Sequence, residues 1–446
     1  MSDNQFTLFT NGSYCLGGEI VDDHLVISEE TGRILKRTGY IGGEIVDLEG
    51  NIVAPGFLEL HTNGVNGFHF THFDDERQYD QKLKETAEHY VSQGVTGFWA
   101  TIPTVSPDTF QKILPSLQPR YLSPSSAYLH GAHAEGPYLH PSKAGAHNAS
   151  LFHTPSTTPS PTTIYGATGL RSVKLATLAP ELPSSTSLIN TLTTNHSIRV
   201  SLGHTTATYA DGLAALGAGA TCLTHTLNAM TPLHSRQPGL AGLISLPPPP
   251  TKNGGAAQPQ PQPPYYTLIA DGHHLHPSTV SLLYRANPSR AILVSDSIEL
   301  ASPAIPAGTY PGHAQISSAQ RKVTHDPVTG EPYPSPKAVI AANGSTTAAV
   351  DDDASNETLI GGCGTLAEAV RNLVAWTGCT LPEAVRTVTE NVAGLMGVDT
   401  PDSLEGGGVG VLKEGNRADL VVLSEEGEVL QTWMSGRMVW EREGGL

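Results

Sequence analysis

Short apolar runs recur through the middle of the chain, each closed by a polar residue, a glycine or a proline. Eight follow one another: VAPGFLELH, VTGFWATIP, AYLHGAHAE, VKLATLAPE, RVSLGHT, ATCLTHT, YTLIADG and AILVSD. Between most of them lie stretches with helical spacing, such as DERQYDQKLKETAEHYVSQG and TATYADGLAALGAG. Strands alternating with helices predict parallel βαβ units. Eight such units predict an α/β protein built on a closed (β/α)8 barrel, and the glycine fingerprint of a doubly wound sheet is missing after the first strand. The two ends follow another rule. FTLFTNGSYCL and EIVDLEGNIVAPG at the start, and VGVLKEGNRADLVVLSEEGEVLQTWMSGRMVWERE at the finish, alternate over short runs broken by Gly, Asn and Asp. That pattern predicts one small sheet domain built from residues 1–54 plus 405–446, around a barrel over 55–404. Two segments interrupt the barrel pattern. PPPPTKNGGAAQPQPQPP at 247–264 is low-complexity loop, and 311–358 is polar and aperiodic with room for one hairpin.

Composition narrows the partners. A formal charge of −17 over 446 residues leaves no basic patch for nucleic acid or an anionic membrane. The start carries no basic segment followed by an apolar run, and no run approaches the roughly 20 apolar residues a spanning helix needs. Cys15, Cys222, Cys363 and Cys379 are scattered without a CxxC pair. They read as reduced thiols, and the expected location is the cytoplasm.

Chemistry gathers at the ends of the apolar runs, which face the mouth in a barrel of this kind. The first run ends in His61, with Asn63 beyond it; the third ends in Glu135, the fifth in His204, the sixth in His225, the seventh in Asp271 and the eighth in Asp296. His204 and His225 are 21 residues apart, about one helix and one strand, which puts them on neighbouring strands. A lone His or Glu at a strand end is usually a hydrogen-bonded loop residue. Glu, His, His and Asp on four strand ends in that order instead read as three ligands for a divalent metal, zinc first or iron or another first-row ion, with a carboxylate beside them to take a proton from water. His69, His72, His130, His133 and His140 read as ordinary histidines, and Lys174 as a packing or salt-bridge residue rather than a carbamylated metal bridge.

The runs GFLELHTNG, HAEGPYLHPSKAGAHN, TLAPE, LGHTTATY, THTLNAM, SRQPGLAGLI, IADGHHLHP, LVSD and GCGTLAEAVRNLV resemble, in this order, those of the N-acetylglucosamine-6-phosphate deacetylases of the amidohydrolase superfamily. The resemblance spans about residues 52 to 424. It implies a metal-dependent TIM-like barrel with a small β-sandwich formed by both chain ends. It also implies hydrolysis of the acetamide of N-acetyl-D-glucosamine 6-phosphate to D-glucosamine 6-phosphate and acetate. By the same resemblance Glu135, His204 and His225 hold one metal per subunit, and Asp296 activates water and later protonates the leaving amine. Asn63, His147, His274, Asn228, Ala229 and Arg236 contact the phosphosugar, and a homodimer is implied because a neighbouring subunit completes the phosphate site. The first strand departs from the His-x-His of many two-metal amidohydrolases, carrying His61 and Asn63, which favours one tightly bound ion with His61 as a second-ion or site residue. VSDSIEL replaces the small Thr/Ala-rich turn that follows the aspartate in relatives. Two other readings stay open at this point: an amidohydrolase acting on a cyclic amide, and a non-catalytic barrel used as a binding or assembly protein.

Overall fold

The structure is a computed structural model that describes residues 6–36, 43–247, 261–302, 304–313, 320–324, 336–340, 358–402 and 406–445. Among these residues eight parallel strands stand in sequence order: β1 (Phe57–Thr62), β2 (Val95–Pro103), β3 (Tyr128–Glu135), β4 (Val173–Leu178), β5 (Arg199–Leu202), β6 (Cys222–Leu223), β7 (Tyr265–Leu268) and β8 (Ala291–Leu293). Each coincides with one of the predicted runs. The last strand returns to the first at the C-terminal end: the amide of Asp296 donates to the carbonyl of His61 at 2.9 Å, and that of Asn63 to the carbonyl of Ser297 at 2.7 Å. At the other end Thr387 and Val388 fill the seam, accepting from Leu293 and Leu58. Leu58, Leu60, Trp99, Leu175, Cys222, Ile269, Ile292 and Val294 pack as one buried cluster with Val392, Leu395 and Met396. Strands β1, β2, β4, β6 and β8 contribute to that cluster, and Ile269 joins it just past β7, as a filled barrel requires.

The helices form by local rules. In α1 (Glu76–Val91), Asp75 caps the start by accepting from the amide of Gln78, and Tyr79, Leu83, Ala87 and Tyr90 line the buried face at helical spacing. The helix Tyr209–Gly217 opens on a reciprocal capping box between Thr208 and Asp211.

The chain ends make the sandwich. One sheet runs Arg437–Glu441, Val429–Met434, Leu420–Leu423, Ile52–Pro55, Ser13–Leu16, Glu19–Asp22, so three strands from the C-terminal end join three from the N-terminal end. The second sheet runs Leu25–Ser28, Phe6–Thr10, Glu44–Asp47. Phe9, Leu25 and Ile27 of one face pack with Tyr14, Val53, Leu420, Val422 and Trp433 of the other.

The segment read as loop with one hairpin carries more order than that. Gly308–Tyr310, Arg321–Thr324 and Lys337–Ile340 pair antiparallel, so the insert begins before residue 311 and contributes three short strands among the described residues. A run such as RKVT is too short and too polar to announce a strand, and only pairing makes it one. Most of 247–264 lies outside the described residues, and residues 261–264 are irregular. No helix among the described residues is long and apolar enough to cross a membrane.

Candidate active site

Glu135 closes β3, and the chain turns at once. Gly136 takes φ +88, and a Cβ there would stand 2.2 Å from Thr104 Oγ1, so the turn accepts only glycine. His204, His225 and Asp296 stand just beyond β5, β6 and β8 with φ of +49, +28 and +47. Side-chain-bearing residues adopt this left-handed backbone at a cost of about 1–3 kcal/mol each, and persist in it where the surroundings hold them.

These turns bring the strand ends together. Glu135 Oε1 lies 3.1 Å from His204 Nε2 and 3.1 Å from His225 Nε2, and the two nitrogens are 3.1 Å apart. Among the described residues this is the group of His, Cys, Asp or Glu side chains close enough to share one ion, and all three members are buried. His204 Nδ1 is 2.8 Å from the carbonyl of Lys143. A carbonyl only accepts, so the proton sits on Nδ1 and the lone pair of Nε2 faces the other ligands. A carboxylate oxygen and two imidazole nitrogens this close, with one imidazole lone pair turned inward, fit a divalent cation. Nitrogen and oxygen donors of this kind suit zinc, iron and other first-row metals.

The remaining strand-end residues surround that group. His61 Nε2 lies 3.1 Å from Asp296 Oδ1 and 3.5 Å from Glu135 Oε2, without hydrogen-bond alignment to either. Asn63 Nδ2 donates to Asp296 Oδ1 at 2.9 Å. His147 places Nε2 3.4 Å from Glu135 Oε2, while its Nδ1 accepts from the amide of Thr104. Burial would raise the Glu135 carboxyl, but the charge of His61 and the imidazoles of His147, His204 and His225 around it outweigh that and hold Glu135 well below the usual carboxylate range. Asp296 follows the same pattern, burial being outweighed by His61. Both carboxylates are therefore held ionised.

The remaining candidate residues converge less. His274 Nδ1 is 2.7 Å from Asp271 Oδ2, and the amides of His273 and His274 donate to Asp271 Oδ1. Asn228 follows His225 in a tight turn, its amide on the His225 carbonyl at 2.9 Å and its Nδ2 buried without a hydrogen-bond partner among the described residues. Ala229 takes φ +47 and accepts from the amide of Thr205. Arg236 is exposed on the loop that follows, its amide donating to His234 Nδ1 at 3.3 Å. Lys174 donates from Nζ to the carbonyl of Arg171, a local contact rather than a metal bridge.

Two buried residues near the site escaped the strand-end reading. His133 lies on the same strand face as Glu135 and bonds Thr101 Oγ1 at 3.1 Å and Thr177 Oγ1 at 2.8 Å, with its ring edge against His61. Glu59 precedes His61 by the same period, accepts from the amides of His61 and Ser295, and is pushed by burial up to about 7. The two-residue period of a strand was the available signal in both cases.

No protein-family model matches the chain. The N-acetylglucosamine-6-phosphate deacetylase of Rattus norvegicus is 31% identical over 98% of this chain and 93% of its own length. That of Caenorhabditis elegans is 30% identical over 98% of this chain and 95% of its own length. The crystal structure of the N-acetylglucosamine-6-phosphate deacetylase from Thermotoga maritima superposes with a TM-score of 0.74 at 26% identity, covering 98% of this chain and 100% of that one.

Proposed function

The chain belongs to the N-acetylglucosamine-6-phosphate deacetylases of the amidohydrolase superfamily, and from that premise we propose how its residues divide the work. The enzyme hydrolyses the acetamide of N-acetyl-D-glucosamine 6-phosphate to D-glucosamine 6-phosphate and acetate, a step of amino-sugar catabolism. Glu135, His204 and His225 would hold a divalent metal, which when bound would supply Lewis-acid polarisation of the acetamide carbonyl and a lowered pKa for water. Asp296 takes the proton from that water and passes it to the sugar nitrogen, which must leave as an amine. Asn63 fixes the carboxylate by donating to Oδ1, leaving Oδ2 for the proton. His147 and His274 orient the sugar, and Asn228, Ala229 and Arg236 receive the phosphate; Arg236 is the residue that brings a fixed cation with two parallel donors. The observation that carries the reading is the meeting of Glu135, His204 and His225 with a second ionised carboxylate, Asp296, joined to them through His61.

In the finer reading the metal is zinc, one per subunit. The enzyme is a cytoplasmic homodimer, and its two units are 1–54 plus 405–446 and 55–404. Acetate release from the phosphorylated and the free sugar, before and after chelation, tests the activity. Chelator-sensitive release, far faster from the phosphorylated than from the free sugar, is the expected result. Release from neither, in protein containing metal, sends the reading to other amides. Metal analysis and sedimentation test the ion and the dimer.

A further inference from the structure

Glu181 ends the TLAPE run in the loop after β4, and its carboxylate faces the turn that carries His204. It accepts from the amide of Thr206 at 2.6 Å, from the Thr206 hydroxyl at 3.0 Å and from the Thr205 hydroxyl at 2.5 Å. Those two residues follow His204 directly. His204 has φ +49, a conformation a histidine keeps only where its neighbours impose it. One side is held by the His204 carbonyl, which accepts from the amide of His140, and by the Lys143 carbonyl on Nδ1. Glu181 is what holds the other. The Thr205 hydroxyl spends its single proton on Glu181 and accepts from the amide of Ala207, so the whole turn is tied to one carboxylate.

Thr205 also reaches the opposite half of the site. Its amide donates to the carbonyl of Ala229, and it pairs in parallel with Met230. The loop bearing Asn228 and Ala229 is thereby registered against the loop bearing His204. We infer that Glu181 is a positioning residue that locks the turn of His204 and, through Thr205, sets the Asn228–Ala229 loop relative to it. The inference rests on His204 being a metal ligand and on that loop receiving the phosphate.

The test is zinc titration of metal-free protein against a chromogenic chelator, for wild type, Glu181→Ala, Glu181→Gln, Thr205→Val and the double variant. The metal-free proteins are unfolded thermally in parallel. Loss of a group that orients a ligand typically weakens metal affinity by about 10–100-fold. That fall is expected for Glu181→Ala, with the metal-free melting temperature little changed and KM for the phosphorylated sugar raised more than for the free sugar. Glu181→Gln, which keeps an acceptor for the Thr206 amide, should recover part of the affinity. Thr205→Val should reproduce part of the loss, less than additively with Glu181→Ala because both cut the same tie. Unchanged zinc affinity in Glu181→Ala overturns the inference, as does a loss that tracks the metal-free melting temperature. A poorly folded Glu181→Ala leaves the decision to Glu181→Gln and Thr205→Val, where full wild-type affinity in both overturns it. His204→Ala is the control for the underlying reading: undiminished zinc affinity there removes His204 from the ligand set and the inference with it.

Discussion

At the scale of single residues, the proposed base owes its behaviour to what it touches. Asp296 is largely but not fully buried, and His61 and Asn63 give its Oδ1 two polar neighbours, at 3.1 and 2.9 Å. Asp296→Asn keeps the shape and removes the proton acceptor. Metal content should stay near wild type while turnover falls by about 10²–10⁴-fold, the usual worth of a positioned acid–base group; near-normal turnover would dismiss Asp296 as the base. Arg236→Ala should raise KM for the phosphorylated sugar by about tenfold or more and leave the free sugar untouched. Equal effects on the two sugars would remove its phosphate role. Of the residues around Asp296, the sequence made His61, Glu135, His204 and His225 legible because each ends an apolar run, and Asn63 because it stands just beyond one. Glu181 was legible only as part of a motif, since a carboxylate in a loop says nothing of which hydroxyls will reach it.

At the scale of elements, the barrel strands were readable and the insert was not. Buried parallel strands must be continuous apolar runs, so composition marks them. The three short strands between Gly308 and Ile340 instead depend on contacts made elsewhere. His313 stacks on His72 with ring centroids 4.5 Å apart and lies 4.4 Å from His69, and Arg321 forms a buried ion pair with Glu299 just past Asp296. The insert is thus pinned to the loop after β1 and to the segment after β8. Burial, aided by the neighbouring His72 and Arg321, lowers the His313 imidazole to about 3, and burial holds His69 well below its ordinary value. A histidine whose folded pKa is depressed favours the neutral form, so its contribution is complete above about 6.5 and is lost as pH falls toward about 3. Amide exchange in Arg321–Thr324, corrected for the intrinsic pH effect, should therefore rise relative to the barrel strands as pH drops from 7 to 4. His313→Phe should flatten that rise. A pH-independent ratio in wild type would dismiss the histidine stack as the fastening.

At the scale of the whole molecule, the two termini share one core. Ile52–Pro55 pairs antiparallel with Leu420–Leu423, and Phe9 meets Trp433 edge to face at 4.9 Å. Trp433→Ala should destabilise the folded chain by about 3–5 kcal/mol, the usual cost of emptying a buried aromatic site. Denaturant unfolding should record that loss while kcat at saturating metal and substrate stays near wild type, because the sandwich core is separate from the strand ends that carry the chemistry. A parallel loss of kcat would join the two. The sequence by itself determined the eight-strand order, the common β character of the two ends, and the identity of the residues that could bind a metal. These are local properties, carried by periodicity, by turn residues and by side-chain chemistry at each strand end. Only the tertiary structure decided that β8 closes on β1 so that Asp296 reaches His61, that Glu181 fastens the turn of His204, and that the insert is held by buried histidines. Those depend on contacts between segments far apart in the chain, and a hydrogen bond across 24 or 233 residues leaves no periodic trace at either end of it.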